Sequence, residues 1–301
     1  MEGKKRVIAL GFFDGIHIGH AALMRKVSDI AKETGLMPAV ITFDTHPLNM
    51  ISGKSIPIIN SADDRAGLIS RMFNIEDVIF LHFDANTMKM RWDEFIKRLV
   101  SDFNAAHLVA GHDYRFGYKG EGDTEKLKKL CAELGLGCDI IPAVVRDGIT
   151  ISSTHIRELI ASGEIEKANE FLGHPHVLTD TVRRGYQFGR TLGAPTVNMR
   201  FDEGVLVPLH GVYAAKVYLD DGCKFTAVTN IGTRPTVGNS NVATVESYIL
   251  GFDGNLYGRQ IRVEFFSLLR PEKRFSSIEK LKEQILIDAV AAKEYFDNYK
   301  P

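Results

Sequence analysis

Two histidines stand three residues apart in the run GFFDGIHIGH at 11–20. On a helix that spacing puts His17 and His20 on one face of the first turn. An apolar run, VIALG, comes before them and an amphipathic run, AALMRKVSDIAKE, comes after, so the pair falls where a strand hands over to a helix. Helix N-termini present unpaired N–H groups and a positive dipole end, and they attract phosphate. Gly11, Gly15 and Gly19 permit close backbone approach or unusual dihedrals. Imidazoles at such a corner can donate to phosphate oxygens and to charge developing in a transition state. The plainer alternative is a histidine that caps or packs locally. A strand, a glycine corner and two imidazoles together favour a nucleotide phosphate site.

Two further runs carry chemistry. ISSTHIR at 151–157 offers Ser153, Thr154 and Arg157, and a Ser/Thr helix cap is also an anion site. GYQFGRTLGAPTVNM at 185–199 brackets Arg190 with Gly185, Gly189 and Gly193. On composition alone that run is a flexible loop before a strand. There is no G-x-x-x-x-G-K-[ST], which argues against a Walker-type kinase.

The elements that must position these residues fall into two halves. Up to about residue 172, short apolar runs (RVIALG, PAVITF, DVIFL, AHLVAG, CDIIPA) alternate with helical patterns at 20–34, 62–73, 92–103 and 124–135. That alternation predicts a doubly wound parallel sheet with helices on both faces, ligands binding beyond the carboxyl ends of its strands. After GHPH at 173–176 the pattern changes. GVYAAKVYL, KFTAVTNIG, VATVESYIL and QIRVEFFSLL are strands separated by turn signals, which predicts an antiparallel sheet or small barrel. The tail at 276–299 reads as a helix, with Ser276 and Glu279 as its capping box and Ile278, Leu281, Ile285 and Ala289 as its packing stripe. Domains are therefore expected at 1–172 and 177–301.

Composition bounds the rest. With 301 residues the chain fits two domains. Lys plus Arg number 37 against 38 acidic residues, which argues against bulk nucleic-acid binding. No apolar run is long enough to span a membrane, and the N-terminus reads as a first strand rather than a leader. Three cysteines without metal spacing predict free thiols and a cytoplasmic protein. Small-molecule substrates and a monomer or weak homo-oligomer are expected.

GFFDGIHIGH resembles the HxGH signature of nucleotidylyltransferases (the HIGH superfamily), in the form seen in bacterial FAD synthetases. ITFDTHP at 41–47, GHDYRFGYKGEGD at 111–123 and ISSTHIR resemble further segments of that family, in order, over residues 6–172. The resemblance implies a Rossmann-like FMN adenylyltransferase domain. His17 and His20 would bind the ATP phosphates and stabilise the transition state, with Gly11 and Gly15 beside them. Ser153, Thr154 and Arg157 would contact the triphosphate, and Asp113 would belong to the flavin-nucleotide loop.

The second half resembles riboflavin kinases over about 177–296. The run at 185–199 is similar to their phosphate loop, TNIGTRPTV to their N-I-G-x-R-P-T segment, and VESYILGFDGNLYG to their V-E-x-H-I-L run. This implies a small β-barrel kinase domain with a C-terminal helix. Gly189 and Arg190 would hold phosphate, Thr196 and Asn198 Mg²⁺, and Glu246 would be the general base. Arg270, Glu272 and Phe275 would form a flap over flavin or nucleotide. Asp44, Thr45, His155, Tyr248 and Asn255 depart from the common patterns.

The expected activity is therefore bifunctional: riboflavin and ATP give FMN, then FMN and ATP give FAD. A flavokinase with a weakened adenylyltransferase is the nearest competitor, motivated by His155. A flavin sensor without turnover, and a different nucleotidylyltransferase or a class I aminoacyl-tRNA synthetase fragment, fit the residues less well.

Overall fold

The computed structural model describes residues 4–53, 55–184, 195–235 and 241–299. The chain forms two compact units, Met1–Ser153 and Thr154–Pro301.

In the first unit the strands are β1 Arg6–Leu10, β2 Met37–Phe43, β3 Asp77–Leu81, β4 Ala105–Gly111 and β5 Gly137–Ile141. They pair in parallel in the order β3-β2-β1-β4-β5. The helices are α1 Ile18–Thr34, α2 Pro47–Ser52, α3 Ala62–Phe73, α4 Ala85–Lys89, α5 Trp92–Phe103 and α6 Thr124–Leu134. A two-residue ribbon follows, β6 Val145–Arg146 with β7 Ile149–Thr150. The central strand β1 reads Val-Ile-Ala-Leu because it is covered on both faces. The longer helices begin and end where local chemistry dictates. Ser61 and Asp123 accept from backbone N–H groups at the starts of α3 and α6. Gly35 and Gly135 end α1 and α6 in left-handed conformation. β1 lies between β2, on the side reached first, and β4, on the side reached later. The crevice at their carboxyl ends is the topological switch point, where an open α/β sheet binds its ligand.

Apart from its first residue, α7 Ser153–Ser162 belongs to the second unit, where it and α8 Ile165–Leu172 lead into β8 His176–Thr181. The expected domain boundary at 172 lies beyond the division between the units. The reason is packing: α8 lies on β8 and on β13, Gln260–Pro271. Asn169 of α8 bolts them together, donating to the Phe265 carbonyl at 2.8 Å and accepting from the His176 N–H at 2.8 Å. The remaining strands are β9 Thr196–Met199, β10 Gly211–Leu219, β11 Lys224–Pro235 and β12 Asn241–Ile249. All neighbours are antiparallel, in the order β8-β13-β10-β11-β12-β9. A bridge from Arg183 to Asn198 joins the two edges and closes the small barrel.

The last helix, α9 Ile278–Asn298, lies across the outer face of β10 and β11. Two local expectations about it are corrected. Its cap is Ser277, whose hydroxyl accepts from the Lys280 N–H, not Ser276. Ile278 is exposed rather than part of the packing stripe, because it sits in the first turn, ahead of the covered surface. Among the described residues no helix is long and apolar enough to cross a membrane.

One buried group sets a pH dependence. His176 is fully buried between Phe201 and Phe265, and neither ring nitrogen has a hydrogen-bond partner among the described residues. Burial, then the neighbouring His174, pushes its pKa down to about 3. The unfolded chain therefore binds a proton that the folded chain refuses, and stability falls as pH drops below about 6.5. At pH 5 this costs about 2 kcal/mol, at about 1.4 kcal/mol per pH unit. His176→Phe is expected to match the parent's thermal midpoint at pH 8 and exceed it by several degrees at pH 5. Parallel pH profiles for the two proteins would refute this.

Candidate functional site

The histidine corner is built by a strained turn. Phe13, Gly15 and Ile16 adopt φ of 53°, 82° and 45°. A left-handed β-branched residue such as Ile16 costs about 1–3 kcal/mol, and it persists only where the surroundings over-determine it. Here they do. Phe13 and Ile16 are buried, the Asp14 carboxylate accepts from the Ile59 N–H at 2.7 Å, and the Asp14 carbonyl accepts from the Ser153 hydroxyl at 2.8 Å. The last bond holds Ser153, the final residue of the first unit, on the corner. Gly11 ends β1, its N–H donating to the Ile41 carbonyl.

His17 is the N-cap of α1: its Nδ1 accepts from the His20 N–H at 3.2 Å. The cap and the phosphate-binding readings are therefore compatible. Capping through Nδ1 leaves a neutral His17 with its proton on Nε2, as a donor. A Cβ at residue 19 would lie 3.1 Å from the His17 ring, so glycine there makes room for the cap. The two rings stack, with centroids 3.5 Å apart and planes 15° apart. His20 also meets the edge of Phe13, and its buried Nδ1 has no hydrogen-bond partner among the described residues. Burial, then His17, then Arg65 hold the His20 imidazole well below its usual range. At neutral pH it is an uncharged donor or acceptor.

Arg65 is the residue that motif reading missed. Its side chain is fully buried, and it donates to the Phe12 carbonyl at 2.9 Å, the Thr42 hydroxyl at 3.1 Å and the Phe43 carbonyl at 2.9 Å. It thus clamps together the carboxyl ends of β1 and β2. Burial pushes its pKa down to about 10, and Asp14 then Asp44 counter that, so it stays charged at neutral pH. The signal was present: Arg65, Leu68 and Ile69 share the buried stripe of α3. A cation on an apolar stripe implies partners waiting for it.

On the far side of the switch point, Asp113 follows β4 and its side chain is 82% exposed at the crevice mouth. The glycine-rich loop behind it is pinned by the stacked Tyr114 and Phe116 and by paired backbone bonds between Phe116 and Gly122. Thr154 and Arg157 lie on α7, where the Arg157 guanidinium donates to the Thr154 hydroxyl at 3.3 Å. His155 lies against Phe171 and 3.6 Å from the Glu158 carboxylate. Asp44 accepts from His82 at 2.7 Å.

In the second unit, strand alternation by itself left the direction of Glu246 open. The barrel decides it. Val245 and Ser247 point into the barrel, fully buried, with the Ser247 hydroxyl 2.8 Å from that of Thr229. Glu246 and Tyr248 therefore face outward, towards α9. Register sets one row across five strands: Arg270, Val212, Asn230, Glu246 and Asn198. The next row holds Val228, Tyr248 and Thr196. Between these rows and α9 lies a cavity of about 250 Å³. Glu246, Thr196, Tyr248, Arg270, Glu272 and Phe275 all line it.

Arg270 forms the wall in a fixed way. It grips Asp288 of α9 with Nε and Nη2 at 2.8–3.1 Å, and Gln284 donates to the same carboxylate at 2.9 Å. Asp288 was not anticipated, although an acid on the buried side of α9 is the same signal as Arg65 on α3. Asn198 sits beside Glu246, and its buried Oδ1 has no hydrogen-bond partner among the described residues. With the Thr196 hydroxyl this is a pair of neutral hard oxygens next to a carboxylate, a donor set that fits Mg²⁺. Asn255 accepts from the Tyr257 N–H at 3.0 Å, so that departure serves a local turn. Gly185, Gly189, Arg190 and Gly193 lie outside the described residues.

Comparison with known proteins agrees with both halves. The FAD synthetase family model matches residues 1–155 and the riboflavin kinase family model residues 172–296. A bifunctional riboflavin kinase/FMN adenylyltransferase of Listeria monocytogenes is 33% identical, over 97% of this chain and 92% of its own. Its counterpart in Bacillus subtilis is 32% identical, over 99% and 95%. A crystal structure from Streptococcus pneumoniae, named as a macrolide-efflux protein, superposes with a TM-score of 0.83 at 28% identity, covering 100% of this chain and 96% of that one. Both catalytic domains are present and matched nearly end to end, so the chain belongs to the bifunctional riboflavin kinase/FMN adenylyltransferase family.

Proposed function

We propose that the two units carry out successive reactions, with working boundaries near residues 1–172 and 177–301. In the barrel unit Glu246 takes the proton of the ribityl terminal hydroxyl as its oxygen attacks the γ-phosphorus of ATP, and ADP leaves. Thr196 and Asn198 would hold Mg²⁺, which neutralises phosphate charge when bound. Gly189 and Arg190 contact the phosphates, while Arg270, Glu272 and Phe275 wall the flavin. In the α/β unit an FMN phosphate oxygen attacks the α-phosphorus of a second ATP, and pyrophosphate leaves. His17 and His20 donate to the reacting phosphates, and Arg157 takes up charge on the triphosphate. Gly11, Gly15, Ser153 and Thr154 complete the phosphate contacts, and Asp113 contacts the flavin nucleotide. No step needs a protein nucleophile; positioning and charge stabilisation suffice.

The observation that best supports this reading is the register that sets Glu246 beside Asn198 and diagonal to Thr196, with Glu246 and Thr196 both lining the cavity. A single active site is not favoured, since each unit keeps its own constellation. The working expectation is a cytoplasmic enzyme, a monomer or weak homo-oligomer, acting on small molecules without nucleic-acid or membrane partners. Incubation with riboflavin, ATP and Mg²⁺, resolved by chromatography, should show FMN rising first and FAD following. FMN that accumulates without FAD would overturn the bifunctional reading.

A further inference from the structure

Asn230 is among the polar side chains of the cavity wall that the steps above leave unused. Asn230 stands between Val212 and Glu246 in the row that crosses the barrel. It lines the cavity, and its amide makes no side-chain hydrogen bond among the described residues. Glu272 reaches the same spot from the end of β13. A Cβ added to the bare Gly232 would meet the Glu272 Oε1 at 2.6 Å and the Asn230 Nδ2 at 3.4 Å. A donor-acceptor amide and an acceptor carboxylate thus share one patch of wall beside the catalytic carboxylate.

We propose that Asn230, with Glu272 beside it, reads the secondary hydroxyls of the flavin's ribityl chain and makes the kinase selective for a polyol substituent. This rests on the reading of Glu246 as the base at the terminal hydroxyl. The row then serves as a ruler. Asn198 faces the phosphate, Glu246 the terminal hydroxyl, Asn230 the next stretch of chain, and Val212 the ring. One strand spacing, about 4.8 Å, is the distance over which an extended polyol presents its inner hydroxyls. Vicinal hydroxyls each give and accept a hydrogen bond, which an amide paired with a carboxylate complements. Beyond Asn230 lie Val212, Phe275, Leu281 and Ile285, an apolar stretch for a flat aromatic ring, bounded by the Arg270–Asp288 pair. A site built this way rejects an analogue lacking the hydroxyls, because its own polar groups are left unpaired.

The test compares kcat/KM for riboflavin and for its 3′,4′-dideoxy side-chain analogue, which keeps the terminal hydroxyl. The full-length protein is used with Asn230, Asn230→Ala and Asn230→Ser. The parent is expected to prefer riboflavin by about 100-fold, at roughly tenfold per hydroxyl. Asn230→Ala should lose about tenfold on riboflavin and little on the analogue, so the preference falls from about 100-fold to about tenfold. Asn230→Ser, which keeps a donor, should restore part of it. Equal losses on both substrates, or no loss on either, would overturn the proposal. FMN adenylylation by the same variants reports an intact chain. Glu246→Gln, run alongside, tests the underlying reading separately: it addresses turnover of riboflavin, whereas Asn230 is judged on the ratio between substrates.

Discussion

Glu246→Ala is expected to lower the rate of riboflavin phosphorylation by about 10²–10⁴-fold, the usual contribution of a positioned general base. Adenylylation of supplied FMN should continue at the parent rate. The size of the effect follows from the surroundings. Glu246 is presented from the middle of a strand paired on both sides, by β11 and β9, so its backbone has little freedom to let another group substitute. Among the described cavity residues the other carboxylates are Asp288, held by Arg270, and Glu272, which sits over Gly232 and within 4.0 Å of His210. Glu246→Gln separates chemistry from packing. It preserves shape and hydrogen bonding but cannot take a proton, and it is expected to be as impaired as the alanine variant. A glutamine variant that makes FMN at the parent rate would remove Glu246 from the role of base.

His20→Ala should produce the reverse pattern: FAD formation falls by about 10²–10³-fold while FMN formation from riboflavin is unchanged. The loss is that of a preorganised donor in a water-poor corner. The fold should tolerate it. The helix cap is made by the His20 backbone N–H to His17, and a change of side chain leaves it in place. The imidazole has a buried Nδ1 without a hydrogen-bond partner among the described residues, so its removal relieves a desolvated polar atom even as it loses the ring contacts to Phe13 and His17. The expected signature is a large loss of adenylyl transfer with a thermal midpoint within a few degrees of the parent. Normal FAD formation would overturn the role of His20, and a collapse in stability would mean that the ring serves the fold instead. Together the two variants assign each product to one unit.

Much of this was legible from local pattern. The strand and helix alternation of the first half, and the helices near 62–73, 92–103 and 124–135, follow from periodicity and capping residues a few positions apart. The short helices α2 and α4 carried too few residues for a period to show. The end of α9 was misjudged by one residue at the cap, because Ser276 and Ser277 are equally good capping residues and only backbone geometry chooses between them.

The two-part organisation, the glycine-histidine corner and the order of motifs that identifies both catalytic units are written along the chain, since each depends on residues close together in it. The tertiary structure alone decided which way Glu246 points and that it stands between Asn230 and Asn198. It also decided that Arg65 clamps the ends of β1 and β2, and that Arg270 spends its charge on Asp288. Those facts depend on register between strands and on which helix covers which face. The partners are separated by tens of residues, and no local period records the distance between them.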